Sequence, residues 1–349
     1  MQLHLVLPGL LWPAKVLYDC AHDLELPALG RLLGRGSVTW TAPLALEDWL
    51  CREFEICTTD APVAPLRLLG EGVDPGKSIW LCADPSHLAF EQGRLILASP
   101  VPDISEAEMR ALLQALAPRV SQIPGYRELR AGAAGSGYAY LALASMPAMT
   151  TTPPSAARGI GGEFALPRGP QGSAWTRLGN ELQMLLHALP ENRQREAAGR
   201  PVANSLWFWG AGALPPAQPS PYATILGDDP LLNGLARWSG AAIAPLPASG
   251  RDLPTEGATL AWVNNLALAT QSLDANLWRE TLLSLERHWF APIAAAHASG
   301  RIETLRLTAL GAEATLDIHL RGRDRFRFWR RSRSLSSLVA ADSRAAGDD

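Results

Sequence analysis

The sequence predicts an α/β fold, a largely parallel sheet flanked by helices with a smaller α+β unit beside it. Three observations carry that prediction. Short apolar runs alternate with amphipathic segments over most of the 349 residues, the pattern of strands joined by crossover helices. Several runs are apolar enough to be buried on both faces, as the strands of a parallel sheet are. The composition, 47% hydrophobic and 19% charged, is globular and not disordered.

Residues 3–7, 78–82, 95–98, 138–143, 205–209, 223–226 and 259–263 read as strands. A helix over 26–33 ends at Gly34 and Gly36, and an acidic-capped helix covers 105–116. Trp175, Leu178, Leu182, Leu185 and Leu189 recur at helical spacing until Pro190 stops the pattern. Trp278, Leu282, Leu285 and Trp289 do the same, opened by Asp274 as a cap and closed near Gly300. Between 90 and 170 the rhythm breaks, and a Pro/Thr/Gly-rich connector at 146–172 is too long for an ordinary turn. This predicts a discontinuous core over 1–89 and 171–333, an inserted α+β domain over 90–170, and a frayed polar tail at 334–349.

Thirty-one basic residues stand against 34 acidic ones, a net charge of -3, which excludes nucleic-acid binding through bulk charge. Only Lys15 and Lys77 are lysines, so the positive charge is almost all guanidinium, suited to fixed bidentate pairs. A chain of this length buries enough surface to fold without a metal or disulfide staple. No run approaches the roughly 18 apolar residues of a membrane helix. The apolar start, 3–11, contains Pro8 and lacks a basic flank or a small-residue cleavage site, so it does not read as a signal peptide. Cys20, Cys51, Cys57 and Cys82 lack C-x-x-C spacing and read as reduced, mostly buried thiols of a cytoplasmic protein. Twelve tryptophans call for an N–H partner wherever they are internal.

The densest chemical signal lies at 187–212: a helix end, an Arg-rich loop, a buried strand, then Gly210-Ala-Gly212. Glycines beyond a strand end let a backbone approach a phosphate closely. No third glycine follows and Leu214-Pro215-Pro216 blocks a helix, so the dinucleotide fingerprint is absent and a tight turn is the plainer reading. Arg193, Arg195 and Arg200 would add fork-shaped donors for an anion. Close Asp/His pairs occur at Asp84/His87, Asp19/His22 and Asp317/His319. Asp84 and His87 follow a strand and read either as a capped turn or as ligands, but one pair cannot build a two-metal site. A Cys20–His22 nucleophile would need geometry that adjacency alone does not supply. His288 and His297 fall on the polar side of the long helix. In Arg321–Arg333, basic and aromatic residues interleave. Such segments can stack on single-stranded nucleic acid, yet Arg325, Phe326, Arg327 and Phe328 alternate as a charged edge strand does.

Asn192-x-x-Arg195, Gly199-x-Pro201-x-Ala203-Asn204 and the strand into Trp209-Gly210-x-Gly212 resemble the central segment of archaeal-type cofactor-independent phosphoglycerate mutases, members of the alkaline phosphatase-like superfamily. The early helix 26–36 and the segment Asn233–Gly240 are similar to that family's flanking parts, and the family carries an insertion where 90–170 stands. The resemblance extends to a bacterial branch of mutase-like regulatory proteins. It implies an alkaline-phosphatase-like core and a mechanism in which two divalent ions, held by Asp and His, activate a Ser or Thr that relays a phosphoryl group.

The chain departs from that pattern at each metal position. Pro8-Gly9 stands where the family has Asp-Gly, and Trp262-Val263-Asn264-Asn265 where it has a His-bearing strand. The segment 305–316, where an Asp-His pair belongs, contains neither residue. Thr58-Thr59-Asp60 stands near the nucleophile position, with Thr59 the candidate. The expected protein is therefore mutase-like with a degenerate metal site, binding a phosphorylated metabolite or acting in regulation. The alternative is an active mutase or phosphatase with a rearranged site. The expected ligand set is Arg193, Arg195, Asn204, Gly210, Gly212 and Asp84, with no metal ligand. No cofactor is expected, unless the alternative holds, when Mn or Mg would be. A phosphorylated small molecule and a protein are the expected partners, with no membrane and no nucleic acid, in the cytoplasm.

Overall fold

The computed structural model describes residues 1–91, 94–98, 103–157 and 165–338. The chain begins with β1 (Gln2–Pro8), α1 (Ala14–Ala21), α2 (Pro27–Arg35) and β2 (Ser37–Thr41). There follow α3 (Leu46–Glu53), α4 (Val63–Gly70), β3 (Ile79–Ser86), β4 (Leu88–Glu91), β5 (Arg94–Leu97), α5 (Glu106–Val120), β6 (Tyr126–Ala131) and β7 (Ala139–Leu143). After a single helical turn at Pro154–Ala157 come α6 (Gly172–His187), α7 (Pro190–Ala197), β8 (Ser205–Gly212), β9 (Thr224–Leu226), α8 (Pro230–Ser239) and β10 (Ala242–Ala244). The last part holds β11 (Ala258–Trp262), α9 (Ala267–Gln271), α10 (Ala275–Leu285), a π-turn (Glu286–Phe290), α11 (Ala291–Ala298), β12 (Thr304–Leu310), β13 (Thr315–Arg321) and a 3-10 turn (Gly322–Phe326).

These elements form two compact units. The first comprises Met1–Leu44, Pro219–Asp228 and Gly240–Asp349. Its seven-stranded sheet runs β10-β9-β11-β1-β12-β13-β2, parallel from β10 to β12 and antiparallel at β13 and β2. The expected α/β class with a largely parallel sheet is what forms. Leu3, Leu5 and Leu7 point from one face of β1 into a core shared with α2, α10 and α11, the period-two consequence of an extended strand.

The second unit comprises Ala45–Gln218 and Asp229–Ser239, with an antiparallel sheet β6-β7-β3-β8. Its core packs Leu81, Leu141 and Phe208 against α5 and α6. The division thus runs differently from the expected insertion at 90–170. The strands β3 and β8, expected in the parallel sheet, pair antiparallel with each other and share a sheet with β7. Apolar runs of that length look alike in either kind of sheet, which is why periodicity could not separate them.

Three local expectations change. Pro190 does not end helical structure: it opens α7 at its first turn, where a missing N–H costs nothing, so the expected Arg-rich loop is mostly helix. Gly210 and Gly212 lie inside β8 and not beyond it. Residues 322–326 form a 3-10 turn and not an edge strand, because the Asp324 carboxylate accepts the Arg321 N–H at 2.8 Å and bends the chain. Trp12, Trp80, Trp207, Trp209, Trp238 and Trp278 each donate their indole N–H to an oxygen, as their burial requires. All four cysteines are free; Cys51 and Cys82 are buried and Cys57 is exposed. No helix among the described residues is long and apolar enough to cross a membrane.

Candidate functional site

Parallel sheets present ligand sites beyond the carboxyl ends of their strands. In the first unit those ends are Pro8 of β1, Trp262 of β11 and Leu310 of β12, with Pro8 opposite Leu310 and Leu7 opposite Ala309. Gly9 turns with φ +81°, and a Cβ there would meet the Leu266 carbonyl at 2.9 Å. The Gly9 carbonyl accepts from Trp278 Nε1 at 2.8 Å and lies 2.9 Å from Thr270 Oγ1. Trp12 Nε1 donates to Thr270 Oγ1 at 2.9 Å, and the Trp12 and Trp278 rings lie 5.8 Å apart. Asn264 and Asn265 are exposed amides. Paired dications need hard carboxylates or imidazoles. At the ends of β1, β11 and β12 the side chains are proline, indole, amide and leucine, and the Gly9 carbonyl is already engaged. The carboxylates of Asp228 after β9 and Glu313 after β12 are exposed and too few, so the residues present do not fit two metal ions. Among the described residues no group of three His, Cys, Asp or Glu side chains could hold a metal.

A buried polar chain crosses the same sheet, and sequence reasoning missed it. Tyr222 Oη lies 2.6 Å from His4 Nδ1, His4 Nε2 lies 2.8 Å from Thr308 Oγ1, and Thr308 Oγ1 donates to Asp317 Oδ1 at 2.5 Å. Arg306 Nε donates to the same carboxylate oxygen at 2.9 Å. Since Thr308 donates onward, His4 donates through Nε2 and accepts the tyrosine proton at Nδ1. Its members are scattered over 218 and 304 residues, a separation no local motif records. Asp317 was legible only beside His319, which is exposed.

In the second unit the segment resembling the mutase centre is occupied by its own scaffold. Asn192 Nδ2 donates to the Leu186 and Ala203 carbonyls at 2.8 and 2.9 Å, and its Oδ1 accepts the Ala203 N–H. Arg195, 3% exposed, donates to both Glu108 oxygens at 2.8 and 3.1 Å and to the carbonyls of Pro201 and Asp103. Burial acts against the Glu108 charge, but the Arg195 and Ser105 hydrogen bonds outweigh it and bring its pKa down to about 2. Asn204 grips the Leu88 peptide at both ends, at 2.7 and 2.8 Å, and His87 Nδ1 lies 2.8 Å from the Val202 carbonyl. A Cβ on Gly210 would stand 2.9 Å from that of Val63, and one on Gly212 2.5 Å from that of Pro62. The glycines admit α4 to the sheet. Of the expected ligand residues, Arg193 alone keeps an exposed side chain; Arg200 is exposed as well and bonds the Asp103 carbonyl.

Asp84 is also buried. Arg67 Nη1 and Nη2 donate to its two oxygens at 2.9 and 2.6 Å, and Trp209 Nε1 adds a third bond at 2.8 Å. Arg67 Nε donates to Tyr140 Oη at 2.8 Å, and its guanidinium lies 4.0 Å from the Tyr138 ring centre. Burial opposes the Arg67 charge, and the Asp84 carboxylate more than offsets it, holding the guanidinium well above its ordinary range. Burial likewise pushes the Tyr138 hydroxyl up to about 12 and the Cys82 thiol well above its usual value. The cluster is a closed ion pair and not a ligand for a cation. Thr59 is exposed, and the neighbouring Asp60 accepts from the Thr151 N–H at 2.9 Å. His22 lies against the Tyr18 and Asp19 carbonyls at 3.2 Å. His288 is exposed, but His297 is buried, its Nε2 3.2 Å from the Arg321 carbonyl. That reverses its expected polar-side placement, because the small side chains of α11 let the helix sink into the core.

Together these features define an α/β protein with a predominantly parallel principal sheet and an antiparallel second one. The PH0037 protein from Pyrococcus horikoshii has a similar fold, with a TM-score of 0.55 and 14% identity over 97% of this chain and 91% of that one. A cofactor-independent phosphoglycerate mutase from Thermoplasma acidophilum DSM 1728 aligns over 97% of this chain and 94% of its own, with a TM-score of 0.48 and 17% identity. By sequence, 156 residues are 30% identical to a probable 2,3-bisphosphoglycerate-independent phosphoglycerate mutase from Geobacter sulfurreducens. That match takes in 44% of this chain and 38% of the relative's length. No protein-family profile matches the chain.

Proposed function

We propose that this chain is a phosphoglycerate-mutase-like protein of alkaline-phosphatase-like descent that works by binding or regulation and not by two-metal phosphoryl transfer. The sequence match to a mutase over 156 residues supports the descent. The single observation supporting the loss is the strand mouth, where Pro8, Gly9, Asn264 and Ala309 offer no anionic oxygen or imidazole, and the Trp278 indole and the Thr270 hydroxyl close the Gly9 carbonyl, with Trp12 bonded to Thr270 in turn. A phosphorylated metabolite is the ligand class the resemblance suggests, and the cytoplasm is its place.

Calorimetric titration with Mn²⁺ and Mg²⁺, alongside an assay of 3-phosphoglycerate turnover in the presence of each metal, tests this reading. No saturable metal binding and turnover equal to a protein-free control are expected. Metal-dependent turnover that survives repurification would overturn it and establish the active alternative. A rise in thermal midpoint with 3-phosphoglycerate alone would support the binding role.

A further inference from the structure

The segment Arg321–Arg333 carries seven arginines and one carboxylate, and the fold spends that carboxylate internally. Asp324 is 4% exposed, caps the Arg321 N–H, and pairs with Arg327 at 3.0 Å. Arg323, Arg330, Arg331 and Arg333 have no carboxylate partner among the described residues and are exposed. Between them stand three bare aromatics: Phe326, Phe328 and Trp329 are 59%, 80% and 68% exposed. The knob is held in place. Arg333 N donates to the Gly30 carbonyl at 3.0 Å, and the Arg331 carbonyl lies where a Cβ on Gly34 would be, 2.2 Å away. Beside it, Arg31 and Arg35, one helical turn apart on α2, line a cavity of about 130 Å³ with His297 and Leu320.

We propose that this surface docks an acidic polypeptide segment that also presents apolar side chains. Aromatic and arginine side chains are the residues that dominate protein interfaces, and a pre-anchored knob loses little entropy on binding. Charge fixes the sign of the partner: the segment contributes +6, so the rest of a chain of net charge -3 carries -9. The cavity is of a size for a carboxylate side chain between two guanidinium forks. Base stacking needs open, parallel ring faces, and here each ring is already engaged over part of its surface by a neighbour. Phe328 and Trp329 meet edge to face with centroids 5.3 Å apart, while the Arg325 guanidinium covers Phe326 at 4.7 Å. The proposal stands apart from the metabolite-binding role above.

Fluorescence anisotropy on the full chain, with a labelled synthetic peptide of alternating glutamate and leucine, tests it. Saturable binding that weakens with added salt is expected, with none to the lysine–leucine counterpart. Phe328→Ala with Trp329→Ala, and separately Arg330→Glu with Arg331→Glu, should each weaken it at least ~10-fold at unchanged circular dichroism and thermal midpoint. Lys15→Glu with Lys77→Glu should leave it within about twofold. Absence of saturable binding overturns the proposal. So does tighter retention of oligothymidylate or phosphatidylserine vesicles, or a wild-type dimer that dissociates on loss of Phe328 and Trp329, since a second copy then holds the surface.

Discussion

At the scale of single residues, buried charge decides what a substitution does. Arg67 is 5% exposed, and its charge is tolerated only because Asp84 supplies two bonds and two aromatic hydroxyl and indole groups complete the shell. Asp84→Ala would strand a guanidinium in the core, so urea unfolding should show a loss of about 3–5 kcal/mol. An Asp84→Ala protein of unchanged stability would refute the closed-pair account. Arg195 makes a parallel case with a pH signature. The Glu108 pKa is lowered from 4.5 to about 2, so its folded value lies below its unfolded one. The stabilisation from the Arg195–Glu108 pair is therefore complete above about pH 4.5 and is lost as pH falls toward 2. Arg195→Ala should both lower stability at neutral pH and flatten the acid limb of a stability-against-pH curve. An acid limb identical to wild type would show that the pair carries no such linkage. Asn192, Arg195 and Asn204 were legible as a group because their spacing is local. What they bond, the carbonyls of Leu186, Pro201, Ala203 and the peptide of Leu88, depends on loop closure that spacing does not encode.

Elements meet where side chains are missing or reach across. The helices α4 and α8 cross at glycines: a Cβ on Gly70 would lie 1.9 Å from the Pro230 carbonyl, and one on Gly234 1.9 Å from that of Leu66. Gly234→Ala must push the helices apart, and overpacking of this kind costs about 1–3 kcal/mol or more; a thermal midpoint equal to wild type would contradict the contact. A different device joins α2 to the π-turn. Glu286, 7% exposed, accepts the Ala28 and Leu29 N–H groups at 2.5 and 3.0 Å, satisfying donors that a helix start leaves orphaned. Glu286→Ala should cost about 1–3 kcal/mol, read by urea unfolding, with Glu286→Gln intermediate. The helix over 26–33, the Asp274 cap and the strands at 3–7 and 205–209 were visible from periodicity and capping alone. The Glu286 cap was not, because a π-turn has no sequence period and its partner lies 258 residues away. β13 alternates too little to be read: Leu316 and Ile318 are buried, but so are Thr315 and Asp317, the latter bonded by Arg306 and Thr308. The 3-10 turn after it was misread as strand because Arg-Phe alternation mimics a period of two whichever backbone carries it.

Over the whole molecule, charge is distributed against its own sum. A net charge of -3 and a pI near 6.2 describe a protein that should pass a cation exchanger at pH 7.5. Screening limits each exposed charge to a neighbourhood of roughly 8–10 Å, so retention follows the local arginine density of 321–333 and not the total. The intact chain should therefore bind a cation-exchange resin at low ionic strength and elute with salt. The discriminating comparison is between two variants of equal net charge. Neutralising Arg330 and Arg331 removes two charges from the dense segment, whereas neutralising Lys15 and Lys77 removes two exposed charges that lie outside it. If the segment governs retention, the arginine variant elutes at clearly lower salt than the lysine variant. Equal shifts for the two would mean that the arginines act only through the sum, and the asymmetry would have no consequence at the surface.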